Sequence, residues 1–282
     1  MSITLDDIRA ARTLIRGHVL PTPMLPAPKL SELTGAQVFV KFENMQVTNS
    51  FKERGARVKL GSLSAQERKR GVIAMSAGNH AQAVAYHAAK LGIPACVVMP
   101  EQTPFVKVAA TRAYGAEVVL EGETLSEAQT RAETLARERN LTWVHPYDDP
   151  RVIAGQATIG VELLAQVPQL DAVVAPVSGG GLLSGLALAL HHLAPHVEVW
   201  GAEPALADDA FRSLRDGLLQ VRYDGYDEFK EQIGQMFTVH YVKKDMLSRT
   251  NGPSMRVNVM HISCKEEVVD ESNLSIGRPK GG

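Results

Sequence analysis

The residue in this chain best placed to act as a nucleophile is Lys52, in the run Thr48-Asn49-Ser50-Phe51-Lys52-Glu53-Arg54-Gly55-Ala56. A lysine packed against an apolar neighbour such as Phe51 loses solvation, and its amine moves toward the reactive neutral form. Most lysines are solvated surface groups, so the weight comes from two further segments. Ser178-Gly179-Gly180-Gly181-Leu182 follows the apolar run Ala172–Pro176 and opens a helical stretch. Three glycines leave backbone N–H groups unobstructed, and a helix N-terminus adds positive potential, which together suit a phosphate. A plain strand-to-helix turn would read similarly. A dinucleotide fingerprint fails, because Ser184 stands where its third glycine belongs, and no G-x-x-x-x-G-K-[ST] run occurs. Ser76-Ala77-Gly78-Asn79-His80 forms another strand-to-helix turn whose amides can hold an anion. Asn79 reads equally well as a helix cap, and His80 reads more readily as a packing or capping residue than as a catalyst.

An amine, a phosphate cradle and a turn that holds a ring are what pyridoxal phosphate asks of a protein. Taken together, the three segments resemble the cofactor site of the fold-type II pyridoxal-phosphate enzymes, and within them the threonine/serine dehydratases. The resemblance runs from about residue 5 to 219. It implies two three-layer domains with parallel sheets, of the tryptophan synthase β-like type. It makes Lys52 the Schiff-base lysine and Cα base. Phe51, Asn79, Ser178, Gly179, Gly180, Gly181 and Leu182 hold the cofactor, with Asn79 meeting the ring oxygen. Ser76, Ala77, Gly78, Asn79 and His80 form the substrate loop. The implied reaction turns L-threonine or L-serine into a 2-oxo acid and ammonia. Serine racemases of this fold carry a serine where Ala77 stands, and it serves as a second base; a methyl group takes no proton, which favours dehydration. β-Replacement enzymes share the lysine but differ in the asparagine loop. The resemblance also implies Mg²⁺ or Ca²⁺ held by Glu203, the Ala207 carbonyl and Asp209, a set of oxygen ligands suited to a hard cation; an acidic surface loop is the other reading. A homodimer is expected.

The elements that must position these groups alternate. Strand patterns at 37–42, 72–75, 95–99, 117–120, 142–144, 172–176 and 198–203 are separated by helical spacing at 80–91, 104–113, 125–139, 155–166 and 182–193, with a further helix at 5–15. A helix is expected to begin near Gly55. Strands separated by helices mean βαβ crossovers and parallel sheet. Residues 1–42 with 148–220 are expected to form a large cofactor-binding domain and 43–147 a small one.

The formal net charge is −1, which argues against nucleic acid or an anionic membrane as a partner. Two cysteines are too few for a disulfide framework, and the acidic N-terminus lacks an apolar signal core, so a cytoplasmic protein is expected. Composition changes sharply near Gln220: residues 1–220 contain 33 alanines and 221–282 none. Strand-like patterns recur at 236–242 and 255–262. The tail offers no convincing counterpart of the family's pyridine-nitrogen partner; Ser272 and Ser275 lack its glycine-rich neighbourhood. A large domain truncated or replaced there should expose sheet edge and apolar helix surface. The competing function is therefore a catalytically dead remnant that binds cofactor or oligomerises.

Overall fold

The computed structural model describes residues 3–204, 208–216, 237–242 and 257–264. Helix α1 (Leu5–Ile15) begins with a reciprocal cap: the Thr4 hydroxyl accepts from the Asp7 amide, and the Asp7 carboxylate accepts from the Thr4 amide. Its Ile8, Ala11 and Ile15 share one buried stripe. Strands β1 (Met24–Pro26) and β2 (Phe39–Lys41) form an antiparallel ribbon around α2 (Pro28–Thr34). After a 3-10 turn at Glu43–Met45 come α3 (Lys52–Gly61) and α4 (Ala65–Arg70).

The next run is β3 (Val72–Met75), α5 (Asn79–Leu91), β4 (Ala95–Met99), α6 (Phe105–Ala113), β5 (Glu117–Leu120), α7 (Leu125–Glu138) and β6 (Thr142–Trp143). Its strands form a parallel sheet of order β5-β4-β3-β6. Period-two alternation decides what each face buries. Ile73, Met75, Cys96 and Val98 pack with Ala128, Ala132 and Leu135 of α7. Val97 and Met99 pack with Ala81, Ala85 and Val108 of α5 and α6, and Val72 and Ala74 with Ala83, Val84 and Ala88 of α5.

The chain continues through α8 (Pro150–Gln166), β7 (Ala172–Pro176), α9 (Gly181–Leu193), β8 (Glu198–Pro204), α10 (Asp209–Asp216), β9 (Phe237–Val242) and β10 (Val257–Cys264). The second sheet runs β7-β8-β10-β9, with β7 and β8 parallel and the remaining pairs antiparallel. Its core joins α1, α8 and α9 to Ala175 and Val199.

Every strand and helix expected from the spacing is present, with ends adjusted by a few residues except at α8. That helix starts upstream at Pro150, because Asp149 caps it and proline suits the first helical position. The helix expected near Gly55 begins at Lys52. Charged α4 has no apolar stripe; its one signal was the Ser64/Glu67 reciprocal cap. An open sheet edge is expected in the large domain; along β8 the edge is covered, with β10 paired from Val257↔Pro204 to Ile262↔Val199. Apolar surface remains on β7, where Val174 is 67% exposed. Ser272 and Ser275 lie outside the described residues.

Candidate functional site

Lys52 is the first residue of α3. The approach to it is set by polar contacts: Asn49 takes the left-handed conformation at φ +57°, and the Ser50 hydroxyl accepts from the Lys52 amide at 3.2 Å. The Lys52 Nζ donates to the Pro146 carbonyl at 2.6 Å and lies 5.2 Å from the centre of the Phe51 ring. Burial pushes its pKa down to about 8, which leaves an appreciable neutral fraction near neutrality.

Two residues on, the fully buried Arg54 guanidinium lies between two carboxylates. It donates to Glu43 through Nε and one terminal nitrogen, both at 2.8 Å, and to Glu162 at 2.7 and 2.8 Å. The remaining N–H reaches the Thr158 hydroxyl at 3.2 Å. Lys41 donates to Glu162 at 2.6 Å, so two cations meet two anions. Burial alone would raise the Glu43 pKa, but Arg54, with Thr22 and Lys41, holds it below the usual carboxylate range. The network fastens α3 to α8 and to the turn at residue 43.

The glycine loop joins β7 to α9. Gly180 has φ +79°, a conformation that side chains other than glycine's strain to adopt. No side chain caps α9, and its first amides have no intrahelical acceptor. Gly179 and Gly181 answer a different demand, the close approach of Tyr147. A Cβ on Gly179 would stand 2.2 Å from the Tyr147 ring, and one on Gly181 would stand 2.7 Å from the Tyr147 carbonyl. Tyr147 follows Pro146, so one short segment touches both the lysine amine and the glycine loop. His145 shapes that segment: its Nδ1 accepts from the Asp148 amide at 2.7 Å, and its ring meets Tyr147 edge-on at 4.7 Å. Nothing in the spacing of His145-Pro146-Tyr147 announces this position, which only the fold reveals.

In the third segment, the Ser76 hydroxyl accepts from the Gly78 amide at 3.2 Å. Gly78 precedes the helix, and Asn79 is its exposed first residue, with no side-chain cap. The capping role considered for Asn79 is thus not taken up. His80 is turned inward. Its Nε2 lies 2.9 Å from the Val144 carbonyl, and burial, then Lys52, pushes its pKa down to about 3. The ring is a neutral packing group, as its sequence context suggested, so a direct role toward substrate would fall to the backbone.

Helix α8 sets the spacing between lysine and cradle. A Cβ on Gly155 would stand 2.6 Å from the Gly55 Cα, so α3 and α8 cross glycine on glycine. A Cβ on Gly185 would stand 2.7 Å from the Ile153 carbonyl, which brings α9 equally close. Gln156 seals the first crossing by accepting from the Gly55 amide at 3.2 Å. Gly155 and Gln156 are thus the joint between α3 and α8.

The hard-cation site gains no support. Among the described residues no group of three His, Cys, Asp or Glu side chains could hold a metal ion. The Glu203 carboxylate accepts from the Phe211 amide at 2.6 Å in α10, and Ala207 lies outside the described residues. Among the described residues no helix is long and apolar enough to cross a membrane.

The donors fit pyridoxal phosphate: a buried amine of lowered pKa for its aldehyde, and an uncapped helix N-terminus on a left-handed glycine for its phosphate. The family model for pyridoxal-phosphate dependent enzymes matches residues 15–262, past the point where recognisable motifs stop. The chain is 40% identical over 281 residues to an L-threonine ammonia-lyase of Thermotoga maritima, covering 98% of this chain and 70% of the relative. It is 45% identical over 202 residues to L-threonine dehydratase catabolic TdcB of Staphylococcus aureus, covering 71% of this chain and 58% of the relative. The crystal structure of serine racemase from Dictyostelium discoideum superposes with a TM-score of 0.73 at 41% identity, over 77% of this chain and 70% of that one.

Proposed function

Because the chain belongs to the family of pyridoxal-phosphate dependent enzymes, we propose that it converts L-threonine or L-serine to the corresponding 2-oxo acid and ammonia. The names of its threonine ammonia-lyase and dehydratase relatives support that reaction class. The observation that carries it is the Lys52 amine, buried, lowered to about 8 and held on Pro146, beside a turn that abuts the phosphate cradle.

When bound, the cofactor supplies an electron-poor ring that stabilises negative charge at the substrate Cα. Lys52 would hold it through Nζ, and the amides of Gly181 and Leu182 would hold its phosphate. The Pro146 carbonyl accepts one Nζ hydrogen and so directs the lone pair of the Lys52 amine. That amine then takes the Cα proton as general base. Asn79, exposed and uncommitted to capping, is available to the ring oxygen, and the turn at 76–78 to the substrate carboxylate. Ala77 offers no group that could return a proton to the opposite face, which favours dehydration over racemisation.

The same reading makes the protein a cytoplasmic homodimer. Exposed Leu25, Leu30 and Leu33 on the β1–α2 unit are in keeping with an association surface, and the buried free thiol of Cys96 with a reducing compartment. Light scattering of the purified protein reads the dimer directly.

The test is incubation with pyridoxal phosphate, borohydride reduction and mass spectrometry, followed by an assay of 2-oxobutyrate from L-threonine. Cofactor trapped on Lys52, lost in Lys52→Ala, together with 2-oxobutyrate is the expected result. Trapping without product would leave a cofactor-binding remnant and overturn the proposed reaction.

A further inference from the structure

Glu53 and His87 are buried ionisable groups that the reaction above does not use. Glu53 follows Lys52 directly, about 100° around α3, so it faces α5 while Lys52 faces Pro146. One carboxylate oxygen, Oε1, accepts from the Thr48 amide, which ties down the loop leading to the lysine. The other, Oε2, stands 3.6 Å from Nε2 of His87. Neither atom has a hydrogen-bond partner, so each is left facing the other, and both side chains are 1% exposed or less. The groups around the pair are Arg57 on α3, whose Nε donates to the Leu14 carbonyl, His18, Tyr86 on α5 and Tyr114 beyond α6. Burial, against the pull of Glu53, holds His87 below its ordinary pKa. The imidazole is therefore neutral at neutral pH, and the tautomer with hydrogen on Nε2 is the one that suits the carboxylate.

Apolar packing between α3 and α5 would not call for a carboxylate facing an imidazole. What this pair adds is direction. Lys52 is the first residue of α3 and Asn79 the first of α5. His87 lies about two turns into α5. A link from Glu53 to His87, with Thr48 fastened to the same carboxylate, sets the two helix starts relative to each other.

We propose that Glu53 and His87 are positioning residues: through the Thr48–Phe51 loop they hold Lys52 at the height from which it captures pyridoxal phosphate. This rests on the assignment of Lys52 above. The test measures the rate of borohydride-trapped cofactor on Lys52 in wild type, His87→Leu and His87→Gln, beside their melting temperatures and, for L-threonine, kcat and KM. His87→Leu removes the donor, and His87→Gln restores one.

The leucine variant is expected to trap cofactor about tenfold more slowly, the order of loss that follows from a small misplacement of a reacting group. Glutamine should recover most of that rate, and the loss in turnover should fall on kcat more than on KM. Trapping by folded His87→Leu at the wild-type rate overturns the proposal, and so does a glutamine variant as slow as leucine. Should the leucine variant not fold, His87→Asn, too short to reach Glu53, replaces it; wild-type trapping there overturns the proposal equally. Wild type that traps nothing on Lys52 would instead sink the assignment of the lysine, and the positioning role with it.

Discussion

At the scale of the residue, burial does most of the chemistry. Lys52 owes its pKa of about 8 to desolvation. Below that pH the amine is an ammonium ion that cannot attack an aldehyde; above it the neutral form dominates. Cofactor capture should thus rise about tenfold per pH unit well below 8 and level off above it. Borohydride trapping at a series of pH values checks this, and a rise continuing to the ordinary lysine range would show a solvated amine. Arg54 is buried too, but two carboxylates hold it charged. Arg54→Met would leave Glu43 and Glu162 facing each other with Lys41 alone, at a cost of about 3–5 kcal/mol. Arg54→Lys should recover little of that, since an ammonium cannot bridge two carboxylates bidentately. Urea denaturation of both variants measures the difference.

At the scale of the element, the site is made by three helices that meet at glycines. The Gly155–Gly55 contact involves backbone, which cannot yield as a flexible side chain can. Gly155→Ala should destabilise by about 1–3 kcal/mol and, by pushing α3 off α8, slow cofactor capture. Gly115→Ala is the control. At φ +89° it is strained by about 1–2 kcal/mol, but a Cβ there meets nothing within 4 Å. It should lower the melting temperature and leave capture unchanged. Equal loss of capture in both variants would mean that general stability, and not helix placement, governs the site.

At the scale of the whole molecule, residues 237–242 and 257–264 take part in the fold. β10 lies along β8, and β9 along β10, so the strand that follows α9 is an interior strand of its sheet. A chain ended at residue 236 would leave the β8 edge with unpaired N–H and C=O groups, a template for association. It should form larger species with rising concentration in light scattering, where the full chain does not. Indistinguishable behaviour of the two would show that β10 contributes nothing to solubility.

The order of elements was legible because it is local. The unbroken apolar run Ala95–Met99 and the spacing of Ile8, Ala11 and Ile15 each involve a few neighbouring residues. The placement of Lys52 at one helix start and of Gly179–Gly181 at another was legible for the same reason, since each motif lies within a few neighbouring positions. The sequence by itself thus determined which groups could act and on what kind of element each sits. It could not disclose that Lys52 rests on Pro146, 94 positions away, or that Arg54 reaches Glu162 across 108. Nor could it disclose that Tyr147 requires Gly179 or that Glu53 faces His87. Those pairings were decided by the tertiary structure alone. They depend on where helices cross, and crossings follow from the packing of the whole core and from no spacing within any one segment.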